Sequence, residues 1–277
     1  MGGFFNRLAD LIWPRVCAIE SCNRTSDRDG RHVCSHCLAT LPFHEGGGSC
    51  RVCGGLVTAE ARHDFVCEVC QTEPPAYEFA RSAVLYGDPA DQLIQDFKFR
   101  KATWLCDDLV DLLEGAVRAK LDFSAIDVVV PVPLHPSRER QRGYNQSALL
   151  AVALAKRLNR RADCRTLRRV RDTEHQARLS GDARKNNLND AFSVAKPEWI
   201  RGRTILLVDD VMTTGATLSH CASPLLKAGA SRVWCATVAR AVLSYEVECS
   251  MFKVQSSRFQ VSSSMFKDGE YRHDLEH

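Results

Sequence analysis

The densest concentration of chemistry in the sequence is the run Leu206-Leu207-Val208-Asp209-Asp210-Val211-Met212-Thr213-Thr214-Gly215-Ala216-Thr217. An apolar strand runs into two adjacent carboxylates and then into a hydroxyl-rich turn that opens a helix. Such a turn aims backbone N–H groups, threonine hydroxyls and the positive end of the helix dipole at one point, which suits a phosphate monoester. Gly215 lets the backbone approach that group closely. Two acids beside a phosphate make sense when the phosphate belongs to a sugar. Asp209 and Asp210 then accept hydrogen bonds from two vicinal ribose hydroxyls. The run is not a Walker loop, because no Gly-Lys-Ser/Thr follows it. The bland reading is an ordinary strand–turn–helix corner capped by Asp or Thr, which would make the whole string a coincidence.

Cysteines are the second chemical signal. The chain has 13, and eight of them fall before residue 71 as Cys17-x4-Cys22, Cys34-x2-Cys37, Cys50-x2-Cys53 and Cys67-x2-Cys70. A two-residue gap lets two thiolates on one tight turn meet one tetrahedral zinc, so four pairs make two sites. The simplest pairing is sequential, although spacing alone leaves interleaving open. His32, His36, His44 and His63 lie close enough to substitute as ligands. Eight thiolates leave no open coordination position, so these zincs are expected to be structural. A disulfide framework or an iron–sulfur or haem site is the competing explanation, and disulfides are rare in a reducing compartment. Cys106, Cys164, Cys221, Cys235 and Cys249 are scattered and read as small buried or indifferent residues.

The elements that would position these groups can be read from apolar periodicity. Ile126–Val130 and Thr204–Val208 are apolar runs with little alternation, as expected of strands buried on both faces. Arg81–Tyr86 and Arg232–Val238 read as further strands. Asp91–Phe99, Thr103–Leu121, Ser147–Leu158 and Thr217–Ala228 have helical character, the last with Gly229 as its cap. Pro224 lies inside that last helix and should bend it. Residues 160–190 read as basic and irregular. Strands alternating with helices imply an α/β fold with a mostly parallel sheet. Gly46-Gly47-Gly48 marks a joint between two cysteine lobes, and Pro74-Pro75 marks their end. The expected organisation is an N-terminal helix and zinc module over 1–75, the α/β unit over 76–240, and an atypical tail over 241–277, read as a poorly ordered extension.

The composition, 45% hydrophobic and 26% charged, is that of a globular protein. Between His135 and Arg203 there are 17 Lys/Arg against 7 Asp/Glu, an excess that attracts polyanions. No run approaches the roughly 18 apolar residues of a transmembrane helix, and Met1–Trp13 is amphipathic without the marks of a signal peptide. A cytoplasmic location is the expectation.

The Leu206–Thr217 string resembles the phosphoribosyl pyrophosphate loop of type I phosphoribosyltransferases. Val130-Pro131-Val132-Pro133-Leu134-His135-Pro136, Arg-Glu-Arg-Gln-Arg-Gly-Tyr-Asn-Gln over 138–146, and Arg169–Ser180 together resemble the ComF (ComFC) competence family. The paired cysteines are similar to that family's double zinc ribbon, and Phe97-Lys98-Phe99-Arg100 to its Lys-aromatic turn. The resemblance implies a type I phosphoribosyltransferase-like parallel sheet flanked by helices. It puts any chemistry at Asp209 and Asp210, which would hold the ribose hydroxyls. Thr213, Thr214, Gly215, Ala216 and Thr217 would hold the 5′-phosphate, and Pro131, Val132, Pro133 and Leu134 would form the pyrophosphate loop, with Mg²⁺ arriving on the ligand. Arg138, Arg140 and Arg142 would contact pyrophosphate or a nucleic-acid strand.

Three functions follow from the resemblance. One is handling of incoming single-stranded DNA in natural transformation, at the inner face of the membrane with a helicase-like partner; Tyr144, Phe192 and Trp199 would stack on bases if they are not packed in the core. The second is a true phosphoribosyltransferase that displaces pyrophosphate with a small acceptor. The third is a sensor that binds phosphoribosyl pyrophosphate without turning it over.

Overall fold

The structure is a computed structural model that describes residues 15–44, 48–56, 65–171 and 191–242. The N-terminal helix reading, Gly46, Gly47, His63, the segment 172–190 and all but the first residues of the tail, Cys249 included, lie outside the described residues.

Five parallel strands form the central sheet in the order β1-β7-β6-β2-β3. They are β1 (Phe79–Leu85), β2 (Val128–Pro131), β3 (Arg161–Ala162), β6 (Thr204–Met212) and β7 (Arg232–Arg240). A separate antiparallel pair joins β4 (Leu167–Arg169) to β5 (Phe192–Val194). The irregular reading of 160–190 therefore needs correction: its first residues supply the edge strand β3 and then β4.

The apolar runs lack alternation because both faces of the sheet are covered. Val129, Leu206, Val208, Trp234 and Ala236 point into one core layer, shared with α3 (Ala90–Phe99), α4 (Cys106–Lys120) and α6 (Gln146–Arg157). Val128, Val130, Ile205, Leu207, Val233 and Cys235 point into the other, shared with α7 (Ala216–Lys227) and the β4–β5 pair. Burying a strand twice over leaves no position at which a polar residue is cheap.

Each cysteine lobe is seated on one of these layers. The first, with α1 (Ser35–Ala39), packs on the α4 side, and the second, with α2 (Glu68–Thr72), on the α7 side. Asp108 of α4 is buried and fastens the first lobe. It accepts from the backbone N–H groups of His32 (2.9 Å) and Val33 (3.1 Å) and pairs with Arg28 at 3.0 Å. One turn on, Asp111 pairs with Arg28, Arg31 and Arg157. The second lobe is held from β7, where buried Arg240 donates to the Cys53 carbonyl at 3.1 Å and to its sulfur at 3.7 Å.

Helix ends follow their sequence signals. Gly229 takes φ +98° after α7, and the bonds Gly229 N–H to Leu226 and Ala230 N–H to Leu225 close a Schellman motif. The helix runs through Pro224 to Lys227. Pro136 opens α5 (Pro136–Arg142), a short helix the sequence reading did not foresee, and Gly143 ends it in the left-handed region. None of the described helices is long and apolar enough to cross a membrane.

Candidate functional site

The chain leaves β2 toward β3 on one side and β6 toward β7 on the other. The strand order thus reverses between β2 and β6, and a ligand crevice opens beyond the carboxyl ends of strands at such a point. Both strings singled out in the sequence lie there. Pro131 pairs with Val208, and Val132 N–H donates to the Val208 carbonyl at 2.9 Å, so the Pro131–Leu134 loop leaves the sheet beside Asp209.

The acidic pair sits inside the strand and not in the turn after it, because β6 continues to Met212. Asp209 Oδ1 accepts from Ser147 Oγ at 2.7 Å and from the Asp210 N–H at 3.0 Å. Asp210 is 2% exposed; its Oδ1 meets Lys98 Nζ at 2.8 Å, while Oδ2 is buried without a hydrogen-bond partner. Burial, reinforced by the charge of Asp210, pushes the Asp209 carboxyl up to about 7.

After β6 the chain turns through Thr213 and Thr214, both exposed, to Gly215 at φ +82°. A Cβ on Gly215 would stand 2.6 Å from both Met212 Cε and Tyr77 Oη, so the turn exists only with glycine there. Thr214 Oγ1 accepts from Ala216 N–H at 3.3 Å, and Ala216 and Thr217 are exposed at the start of α7. The first turn of a twelve-residue helix therefore faces the crevice, a position that favours an anion.

The segment Tyr144–Ser147 fixes three sides of the crevice at once. The Tyr144 hydroxyl donates to the Phe97 carbonyl, holding the end of α3, from which Lys98 reaches Asp210. Asn145 caps α6 by accepting from Ser147 N–H (3.0 Å) and Ala148 N–H (3.4 Å), and its Nδ2 donates to the Val132 carbonyl at 3.1 Å. Ser147 reaches Asp209. Sequence reasoning gave Lys98, Asn145 and Ser147 no role at the site. Their signal was present in the Phe-Lys-Phe-Arg and Gly-Tyr-Asn-Gln strings, but what joins those strings is a tertiary contact.

Arg138, Arg140 and Arg142 lie on α5 beside the crevice loop, with Arg140 exposed. The Arg142 guanidinium lies 5.0 Å over the Phe99 ring and donates to Gln146 Oε1. Phe97, Lys98 and Phe99 of the Lys-aromatic string form the last turn of α3, and Arg100 caps it. The three aromatics considered for base stacking are engaged in the protein: Tyr144 with Phe97, Phe192 in the core, and Trp199 beneath Arg161 at 3.8 Å.

The cysteines assemble sequentially. The sulfurs of Cys17, Cys22, Cys34 and Cys37 lie within 4.8 Å of one another, as do those of Cys50, Cys53, Cys67 and Cys70. Contacts of 3.9 Å (Cys22–Cys34) and 3.8 Å (Cys53–Cys67) match the edge of a tetrahedron with metal–sulfur bonds of about 2.3 Å. Backbone N–H groups point at the sulfurs, among them Cys67 N–H to Cys50 (3.3 Å) and Cys34 N–H to Cys17 (3.5 Å). Both clusters can thus hold zinc. Among the described residues neither cluster includes a histidine, and buried His44 lies beside Lys120, its pKa pushed down to about 4 by burial and that charge.

The raised Asp209 carboxyl has a consequence for stability. An unfolded aspartate titrates near 3.9, so the fold favours the protonated form. That contribution is fully present below about pH 4 and is lost as pH rises through about 7. Urea unfolding of the ligand-free protein should show stability falling between about pH 5.5 and 8.5, on the order of 2 kcal/mol from this group. Asp209→Asn should flatten that slope; an unchanged slope would show that another group carries it.

A family model for the phosphoribosyl transferase domain matches residues 145–264. The DNA utilization protein YhgH of Escherichia coli is 35% identical over 215 residues, covering 72% of this chain and 94% of that protein. Competence protein F of Haemophilus influenzae is 35% identical over 217 residues, covering 76% and 90%. The adenine phosphoribosyltransferase of Saccharomyces cerevisiae overlaps only loosely, at 16% identity and a TM-score of 0.35 over 54% of this chain and 75% of that one. With the parallel sheet, the strand reversal at the crevice and the two four-cysteine clusters joined in one chain that matches these relatives over most of their length, the protein belongs to the ComF family of competence proteins.

Proposed function

We propose that this protein binds phosphoribosyl pyrophosphate with Mg²⁺ in the crevice between β2 and β6, that each cysteine cluster holds a structural zinc, and that the protein serves DNA uptake or use. The observation that carries the ligand reading is the meeting, at one crevice, of the open α7 N-terminus, the acidic pair and the loop after β2. In this reading the N–H groups and hydroxyls of Thr213–Thr217 hold the 5′-phosphate. Asp209 and Asp210 accept from the ribose hydroxyls, and backbone N–H groups of the Pro131–Leu134 loop face the pyrophosphate. Mg²⁺ arrives on the pyrophosphate and offsets part of its charge. The relatives' names, competence protein and DNA utilization protein, support the cellular role. Single-stranded DNA would run along α5, which carries Arg138, Arg140 and Arg142, the last of them over the exposed ring of Phe99. A helicase-type partner and a station at the inner face of the membrane belong to the same proposal.

Calorimetric titration with Mg²⁺ and phosphoribosyl pyrophosphate tests it. The wild type should bind, and Asp209→Asn/Asp210→Asn should bind about a hundredfold more weakly, the worth of one to two charge-assisted hydrogen bonds. Absence of wild-type binding would refute the ligand reading. A second reading, transfer of the phosphoribosyl group to an acceptor as pyrophosphate leaves C1, is favoured by Asp209 standing near neutrality beside the crevice. It requires pyrophosphate release with some acceptor.

A further inference from the structure

Two adjacent carboxylates at the mouth of a crevice for a phosphorylated sugar pose an electrostatic problem. Left alone, such a pair shares a proton and repels a polyanion. The structure places one cation against it. Lys98, in the last turn of α3, is 21% exposed and puts Nζ 2.8 Å from Asp210 Oδ1. The end of its helix is fixed from the other side of the crevice by the Tyr144 hydroxyl on the Phe97 carbonyl. With Oδ1 occupied, Asp210 Oδ2 is the buried oxygen left without a partner.

We propose that Lys98 is a positioning residue of the sugar-hydroxyl site: its ammonium engages Oδ1 of Asp210 and orients the side chain so that Oδ2 is left to accept a ligand hydroxyl. The inference rests on the phosphoribosyl pyrophosphate reading above. Lys98 does not touch the ligand's reacting atoms; it acts through Asp210. An ion pair on one oxygen fixes the rotamer, and the remaining acceptor costs free energy for as long as no hydroxyl reaches it. A buried acceptor of this kind discriminates strongly against a ligand that lacks the hydroxyl.

Among the described residues, the groups that act on the acidic pair and its lysine come from five elements. From α3 comes Lys98, and from the end of β1 Tyr86, whose phenol lies near enough to act on Lys98. From α6 comes the Ser147 hydroxyl. From α7 and β7 come the thiols of Cys221 and Cys235, both held neutral by burial and by the Asp209 charge. Among these groups Lys98 is the cation, and it opposes proton uptake by Asp209. Taking it away should raise the pH at which Asp209 loses its proton, since the Lys98 charge pulls that carboxyl down.

The test is the pH dependence of Mg²⁺–phosphoribosyl pyrophosphate affinity for wild type, Lys98→Met and Lys98→Arg, between about pH 6 and 9. The ligand's own phosphate titration is common to all three proteins and cancels in the comparison. In Lys98→Met the midpoint of the affinity profile should move up by about one pH unit or more, so that binding is weakened about tenfold more at pH 6.5 than at pH 8.5. Lys98→Arg should restore the wild-type midpoint. Lys98→Gln provides a second neutral variant should the methionine variant be insoluble, and zinc content reports that each protein is folded. A loss of affinity by the same factor at every pH, or an arginine variant that behaves like the neutral ones, would overturn the proposal and leave the ligand site standing. No binding by the wild type would overturn both together.

Discussion

Gly215→Val should reduce Mg²⁺–phosphoribosyl pyrophosphate affinity on the order of a thousandfold, the largest single-residue effect expected at the crevice. Two costs add. A β-branched residue at φ +82° is strained by roughly 1–3 kcal/mol. Its Cβ would also enter space held by Met212 Cε and Tyr77 Oη, each 2.6 Å away, and overpacking of this kind costs roughly 1–3 kcal/mol. Met212 is flexible enough to give way, but Tyr77 is 3% exposed and its ring is fixed by the second core layer. The turn must therefore move, and its N–H groups no longer converge on one point. Gly202→Ala is the matched control, since it also has positive φ (+70°) but has nothing within 4 Å of its Cβ. It should cost stability without affecting the ligand. Titration of both variants, with urea unfolding to establish the folded fraction, separates the two cases. Retention of affinity within threefold by the valine variant would contradict the assigned phosphate turn.

The second large effect concerns the metal clusters, and it should be unequal between them. Cys53→Ser should lower zinc from two per chain to one and take ligand binding with it. Structural zinc contributes roughly 10–16 kcal/mol to folding in isolated finger peptides, so an emptied lobe cannot be expected to hold its shape. Cys53 also accepts from Arg240, and its cluster shares a core layer with Tyr77, which packs beneath Gly215. Cys37→Ser should likewise remove one zinc, but its lobe packs on the opposite layer, away from α7, and ligand affinity should change by less than about threefold once the folded fraction is accounted for. Metal analysis alongside calorimetry reads both quantities. Equal loss of binding in the two variants would mean that the lobes fold as one unit and that the contact through Tyr77 has no special weight.

Much of the frame was legible in the sequence because its causes are local. Thr204–Val208 and Ile126–Val130 announce doubly buried strands by lacking alternation, and the cysteine spacing dictates two tetrahedral sets. Gly215 and Gly229 stand where only glycine takes positive φ without cost. What stayed hidden depends on contacts distant in sequence. The helix Pro136–Arg142 is basic and without an apolar face, so periodicity could not reveal it. The strand β3 is two residues long and owes its existence to the neighbouring edge of β2. The roles of Lys98 and Ser147 required knowledge that α3 ends and α6 begins at the same crevice. The apolar run Thr204–Val208 marks only the first part of β6, which continues through the acidic pair to Met212, the partnership with β7 outweighing the low strand propensity of carboxylates.

The clasp between Asp108 and the first cysteine lobe has a consequence in time. The backbone groups it holds, at His32 and Val33, precede it by 76 and 75 residues. A ribosome adding roughly 5–20 residues per second needs about 4–15 s to make that interval. Until it has passed, the seat of the lobe on α4 does not yet exist. What could close it in those seconds is its own set of four cysteines, which are placed to hold a metal ion. If that cluster takes zinc as proposed, metal capture precedes docking onto the sheet, which must wait for α4.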